Sequence, residues 1–408
     1  MPQPLRILVL SYETPAFPAG GGPARQHALL RCLARRHVIR VVSTGGEPSL
    51  GRPPEDVELR LVAPAPAGAA VPASWLARNA GHYLGGRPWV HVAAAHHERA
   101  LAAVLPEELR AFAPDVVVVE HGELGALLRR VGDRPRVLVL HNVLTSVQRQ
   151  RVAQAHGLWA RGKELGDLGI AAAWERADLR RATRVVTTTE HDAALARRLG
   201  GRRVAVDVVP NCVDSAYWAR PAGAVREPAL LAMTASFHYP PNRAAAVELV
   251  EQVLPAVRAR VPRATLRLVG QGMPGDLAAR LRATEGVEVT GPVDDVRPHL
   301  WAASVALAPL RLGSGSPIKV LEALSAGVPV VSTQRVAQAL GLAAGEGVVA
   351  AGTPQAIAAQ VAALLADPAR AAQVAERGRA AVVARYDREV AAAALERTLC
   401  AAAGGGRG

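Results

Sequence analysis

With 408 residues the chain exceeds what one hydrophobic core supports, so two domains of about 200 residues each are expected. Apolar residues make up 50% and aromatic residues 3%, which excludes a disordered chain and predicts a core of Ala, Val and Leu. The net charge of +13 is carried almost wholly by arginines spread along the chain, with Lys at 163 and 319 alone, so it argues for anionic substrates or an anionic membrane surface and against a nucleic-acid partner.

In the first half, strands are predicted at Ile7–Leu10, Ile39–Ser43, Val57–Val62, Val116–Val119, Val137–Leu140 and Val185–Thr188. Amphipathic stretches such as Arg25–Arg36 and Ala171–Arg181 lie between them, and residues 63–72 read as a loop. Alternation of this kind predicts βαβ units and a parallel sheet covered on both faces. After Val206–Val209 and the turn Pro210-Asn211 the pattern restarts, with strands at Leu230–Thr234, Thr265–Val269, Val287–Val289, Val305–Ala308 and Val328–Ser332. Helices are expected at about 243–260, 275–283, 316–326 and 354–366. The reading is an α/β chain of two Rossmann-like domains, 1–210 and 211–400, facing each other across a cleft, with a flexible tail at 401–408 and a C-terminal helix able to cross back.

Cys32, Cys212 and Cys400 stand far apart with no CxxC and no Cys/His cluster, so neither a disulfide framework nor a metal site is indicated, and each reads as a small apolar residue. Met1 leads directly to a strand without a signal-type apolar segment, and no apolar run reaches the ~20 residues of a membrane span. The expectation is a cytoplasmic protein with at most peripheral membrane contact. The face for that contact would be the helix around 25–36, where Arg25, Arg31, Arg35 and Arg36 adjoin Leu29, Leu30 and Leu33.

Ligands of open parallel sheets sit beyond the carboxyl ends of the strands. Three features occur there. Gly20-Gly21-Gly22 follows the first strand and opens a helix, which allows close approach of an anion to backbone N–H groups; it is not the dinucleotide fingerprint. Glu120-His121-Gly122 and His141-Asn142 end two neighbouring strands, and His141 and Asn142 suit sugar hydroxyls. The third is Pro309 to Ala323, PLRLGSGSPIKVLEA, in which Gly313, Ser314 and Gly315 form a tight loop. Ser316 reads there as the helix cap and Pro317 as the first helical residue. Arg311 and Lys319 are placed to meet a diphosphate, and Glu322, three residues after Lys319, can accept hydrogen bonds from a ribose diol. Asp294-Asp295 reads as a solvated helix start, not a metal site.

The stretch VTGPVDDVRPHLWAASVALAPLRLGSGSPIKVLEALSAGVPVVST, with RILVLSYETPAFPAGGGPARQHALLRCLARRH, VLVLHNV and VVPNCVD in the first half, resembles family 4 of the retaining glycosyltransferases, nearly end to end. The resemblance implies a GT-B fold whose first domain binds mainly the acceptor and whose second binds a sugar nucleotide. It places Glu322 at the second glutamate of the family's E-x7-E motif, Gly21 and Gly22 in the loop near the donor phosphates, and His141 at the active-site histidine beside the donor sugar. The first motif glutamate would fall at Ser314, so the motif is broken. Ser236 stands where Arg is usual, and Asn242 lies near the usual Lys. The GSGxxxK form is similar to a subgroup that includes exopolysaccharide-type sugar transferases. The implied activity is metal-independent transfer of a hexosyl group, with retention, from a UDP- or GDP-sugar to a glycan, lipid-linked or small-molecule acceptor. The pathway would be polysaccharide or secondary-metabolite biosynthesis. A nucleotide-sugar epimerase of GT-B type and a non-catalytic carbohydrate-binding relative are the alternatives.

Overall fold

The computed structural model describes residues 3–17, 21–48, 51–64, 86–311, 316–343 and 345–404. The chain forms two compact units, Met1–Pro210 with Ala391–Gly408, and Asn211–Val390.

The first unit holds a seven-stranded sheet: β1 (Arg6–Ser11), β2 (Val38–Ser43), β3 (Glu58–Leu61), β4 (Val116–Glu120), β5 (Arg136–Leu140), β6 (Arg184–Thr187) and β7 (Val206–Val208). Its order is β3-β2-β1-β4-β5-β6-β7, with every pairing parallel. The strands are runs of Val, Ile and Leu because both faces are covered; Val116 to Glu120 is buried throughout. The second unit holds six parallel strands: β8 (Leu230–Thr234), β9 (Thr265–Val269), β10 (Val287–Gly291), β11 (Val305–Ala308), β12 (Val330–Ser332) and β13 (Val348–Ala350). Their order is β10-β9-β8-β11-β12-β13. The sheet order therefore reverses between β1 and β4 in one unit and between β8 and β11 in the other. These are the switch points where crossovers leave in opposite directions and a crevice opens at the carboxyl ends.

The two faces of the second sheet are built differently. Leu231, Met233, Leu266, Leu268, Val305 and Leu307 pack under the helical segment Pro240–Arg258 and the helix Pro354–Ala366. The alternate positions, Ala232, Ala306 and Ala308, face the helix Ile318–Ser325. Small residues there let that helix lie close to the sheet. Pro255 lacks an N–H and clashes one turn back, and the residues before it, Leu249–Val253, widen into a π turn. Helix starts are fixed by Thr189, Thr353 and Asp367, whose side chains accept from backbone N–H groups three residues on.

Several expectations change. The strand Val348–Ala350 was not foreseen. The helix expected from 316 starts at Ile318, with Pro317 in an extended conformation at the cap position, so Ser316 is not the cap. The last helix runs from Arg388 to Gly404 and Ala402 is buried, so ordered structure extends past 400; residues 405–408 lie outside the described residues. The loop reading of 63–72 rests mostly on residues outside the described set. The helix offered to a membrane is Gly22–Ala34, and its Arg25, Leu29, Leu30 and Leu33 are all buried. Its exposed arginines have no apolar face beside them, because that face covers the sheet. Among the described residues no helix is long and apolar enough to cross a membrane.

The last helix is fastened to the first unit by the Glu396 carboxylate, which accepts from His37 Nε2 at 3.2 Å and Arg36 Nη1 at 3.1 Å, and by buried Leu395 and Leu399. The Arg36 side chain is 70% exposed, so its ion pair contributes little. Arg36→Ala should therefore cost under about 1 kcal/mol. Leu399→Ala, which empties a fully buried site, should cost about 2–5 kcal/mol. Chemical denaturation of the two variants tests this ranking.

Candidate functional site

Each switch point carries a polar cluster. In the first unit, β1 runs into Tyr12 and Glu13, β4 ends in Glu120 and His121, and β5 is followed by His141. Three of these rings stack. Tyr12 and His121 lie 4.0 Å apart between centroids, and His121 and His141 4.4 Å. His121 adopts φ +76°, the left-handed region that non-glycine residues enter at a cost, and the stack holds it there. His141 Nε2 lies 2.8 Å from Glu120 Oε2, which accepts its proton. Burial works to raise the Glu120 carboxyl, but the hydrogen bond and charge of His141 and the charge of Arg25 outweigh it and hold Glu120 below the usual carboxylate range. Glu13 has no such donor. Burial, reinforced by Glu120 and Glu123 against the opposing charge of His141, raises it. The imidazole of His121 is held well below its ordinary value by burial, then by His141 and Arg25. Its Nε2 lies 3.3 Å from the Gln26 side-chain amide and 3.5 Å from Glu13 Oε2.

The helix Gly22–Ala34 begins against this cluster. Gly21 sits at φ +66° and its cap position has no side-chain partner. A Cβ at Gly22 would overlap the end of the Glu13 side chain, so a larger residue there would displace that carboxylate. Gly20 lies outside the described residues. Arg25, in the first turn, is fully buried. It donates to the Val209 carbonyl at 3.3 Å, and its Nε and Nη1 have no partner among the described residues. Asn142 follows His141 and is exposed.

In the second unit, Lys319 and Asn242 meet across the switch point. Lys319 Nζ donates to Asn242 Oδ1 at 2.7 Å, and Asn242 Nδ2 donates to the Ser236 carbonyl at 2.7 Å. Glu322 is buried one turn beyond Lys319. Burial pushes the Lys319 ammonium down to about 8 against the favourable charge of Glu322. Burial likewise pushes the Glu322 carboxyl up to about 7 against the charge of Lys319. The pair is thus no surface ion pair. Asn211 donates to the Ser316 carbonyl at 2.6 Å, and the buried Ser316 hydroxyl has no partner among the described residues. Gly313, Ser314 and Gly315 lie outside the described residues.

Arg311 departs from expectation. Its guanidinium makes a two-pronged pair with Glu248, both bonds 2.8 Å, and donates to the Gly352 carbonyl at 3.0 Å. It is committed to the helix over the other face of the sheet, and the positive charge at the switch point is that of Lys319. Asp295 binds the Arg297 guanidinium and backbone N–H at the start of a helix, in keeping with the solvated helix start read from the sequence. Sequence reasoning passed over Glu13 and Gln26, gave Arg25 to a membrane-facing helix, and named Asn242 only for lying near the family's usual Lys. Glu13 follows β1 as His141 follows β5, and the same strand-end rule finds it. The role of Asn242 depends on a partner 77 residues away, which no local pattern reveals.

Two family profiles match the chain: "Glycosyl transferase 4-like domain" over residues 20–212 and "Glycosyl transferases group 1" over 228–367. Together they take in most of the sequence, one in each unit. The chain belongs to the group 1, family 4-like glycosyltransferases. No curated protein matches it. Among solved structures, sucrose-phosphate synthase from Thermosynechococcus elongatus is 18% identical with a TM-score of 0.72, over 97% of this chain and 99% of that one. The lipopolysaccharide glycosyltransferase WaaG is 18% identical with a TM-score of 0.64, over 96% and 98%. Anabaena HepE in complex with UDP and glucose is 14% identical with a TM-score of 0.63, over 97% and 99%. At such identities the likeness establishes the fold, which is GT-B.

The part-buried ammonium of Lys319 has a consequence for stability. The folded pKa of Lys319, about 8, lies below the unfolded value near 10.5, so the unfolded chain binds the extra proton between those limits. Wild-type stability relative to Lys319→Met should therefore rise as pH increases from 8 to 10.5, by about 1–3 kcal/mol. Urea melts of both proteins across that window measure it, and parallel curves would refute the buried-charge reading.

Proposed function

We propose that the protein transfers a hexosyl group, with retention and without a metal ion, from a nucleoside diphosphate sugar to an acceptor hydroxyl. The observation that carries this reading is the Lys319 ammonium held by Asn242 at the second switch point, with Glu322 buried one turn further on. In the reaction the bond from the anomeric carbon to the phosphate oxygen breaks and a bond to the acceptor oxygen forms. The acceptor's proton passes to the departing phosphate, so no protein nucleophile is needed. The enzyme's main task is to stabilise negative charge as it develops on the diphosphate. Lys319 is assigned to that charge, with the loop Gly313–Ser316 and the N-terminus of the following helix. Glu322 is assigned to the donor ribose. Gly21 and Gly22 admit the diphosphate close to backbone N–H groups, and His141, oriented by Glu120, meets the donor sugar with Asn142. The UDP and glucose in the HepE complex make UDP-glucose the first donor to test. The acceptor class is a glycan, a lipid-linked sugar or a small molecule.

Lys319 takes the place of the cation usual near Asn242: the charge comes from a different element and is delivered to the same asparagine. An ammonium held near 8 is a favourable phosphate ligand, since the incoming anion restores its proton. Donor affinity should fall as pH rises from 8 to 9.5, above the titration of Glu322, because the neutral amine is the wrong partner for phosphate. Calorimetric titration at several pH values reads this, and a flat profile would remove Lys319 from the phosphate.

Lys319→Ala should lower turnover ten- to a thousandfold, taking one electrostatic donor as the guide. Arg311→Ala should leave turnover within about twofold, since that guanidinium serves Glu248. Glu322→Ala should weaken donor binding by about 1.5–3 kcal/mol. Activity should persist in EDTA. Assay of transfer, hydrolysis and epimerisation on one donor panel separates the three enzymatic outcomes, and no turnover with any donor that stabilises the fold would leave a binding protein.

A further inference from the structure

His121, immediately after β4, stands at φ +76° and ψ +128°, a combination that glycine enters freely and side-chain-bearing residues rarely adopt. A glycine follows at once in Gly122, yet the strained position itself carries an imidazole. That imidazole is buried in a column of rings. One face meets Tyr12, with centroids 4.0 Å apart and planes inclined by 23°. The other meets His141, at 4.4 Å and 17°. Its edge lies 3.3 Å from the Gln26 amide, which also donates to the Ser11 hydroxyl. Tyr12 is backed in turn by His97, 5.6 Å away, whose Nδ1 lies 2.9 Å from the Thr44 hydroxyl. The column thus crosses the carboxyl ends of β2, β1, β4 and β5 and finishes at His141.

His141 gains from such a support. Its Nε2 is fixed 2.8 Å from the Glu120 carboxylate. The outer torsion of a histidine is soft, however, and one hydrogen bond tolerates a range of ring planes. A near-parallel ring at 4.4 Å removes that freedom. Burial keeps the His121 ring neutral, so it adds no charge beside His141. Filling space alone does not call for this arrangement, since an aliphatic side chain on unstrained backbone packs as well but presents no flat face.

We propose that His121 is a positioning residue of the transfer step: its ring, clamped between Tyr12 and His141, sets the plane in which His141 presents its remaining ring nitrogen to the donor sugar. The proposal rests on the reading that His141 meets that sugar. His121 acts through His141 and not on the substrate.

The test compares full-length wild type with His121→Asn, His141→Ala and the double variant. Asparagine tolerates positive φ and removes the ring. Turnover is read as UDP released from UDP-glucose. His121→Asn should lower kcat about ten- to a hundredfold, the cost of a misplaced group, with KM for UDP-glucose within about twofold of wild type. The double variant should lose no more than His141→Ala alone, because the two residues work as a unit. Isotopic labelling of the histidine rings reads the geometry without any donor, so it decides the case even where UDP-glucose is a poor substrate. The His141 signal, identified by its loss in His141→Ala, should shift and broaden in His121→Asn. Tyr12→Leu opens the column from its other face and leaves the strained residue untouched. It should disturb the same signal to a lesser degree, and it carries the comparison if His121→Asn does not fold. Full turnover in His121→Asn beside a crippled His141→Ala would overturn the proposal and leave the donor-sugar reading standing. Additive losses in the double variant, or a His141 signal indifferent to the opened column, would overturn it as well. Full turnover in His141→Ala would instead remove the donor-sugar reading, and the proposal with it.

Discussion

A parallel sheet covered on both faces sends every strand toward the same edge, and every turn into a crossover helix leaves from there. Side chains at that edge are flanked by packed strands, so charged groups placed on it lose water without the shelter of a regular hydrogen-bond ladder. In both units this constraint is met at the switch point by polar side chains from different strands or helices: Glu120 with His141 in one, Lys319 with Asn242 in the other. The same loss of water separates the carboxyls. Glu120 has an imidazole donor and stays ionised more readily than usual, while Glu13 and Glu322, without one, are raised. Two neighbouring carboxyls of the first unit thus carry different proton affinities for a geometric reason.

The alanine face of the second sheet serves the same end. Ala232, Ala306 and Ala308 bring the helix Ile318–Ser325 down onto the strands, so a lysine in its first turn reaches an asparagine on another element.

Much of the fold could be read from the pattern of short Val- and Leu-rich runs, and Leu230–Thr234, Thr265–Val269 and Val305–Ala308 have the bounds expected of them. Val348–Ala350 was missed because three residues after a glycine-rich turn carry too little periodicity. The strand-end rule led to His141, Lys319 and Glu322 as candidates. It could not show that Arg311 pairs with Glu248, 63 residues earlier on the opposite face. The separate membrane reading of Arg25 failed because its Arg/Leu neighbourhood reads as amphipathic although the helix is pressed into the sheet.

The return of Ala391–Gly408 to the first unit makes the second unit an insertion within it. This inverts the usual order of assembly during synthesis, in which the amino-terminal domain closes first. Asn211–Val390 is continuous and has all its strands as soon as it emerges. The first unit, begun earlier, must wait with the corner at Arg36 and His37 uncovered until the final helix brings Glu396 and Leu399 to it. A ribosome stalled before the end of the message would therefore release a chain with a finished second unit and an open first one, and the exposed surface of that open unit is what a chaperone or a protease would meet.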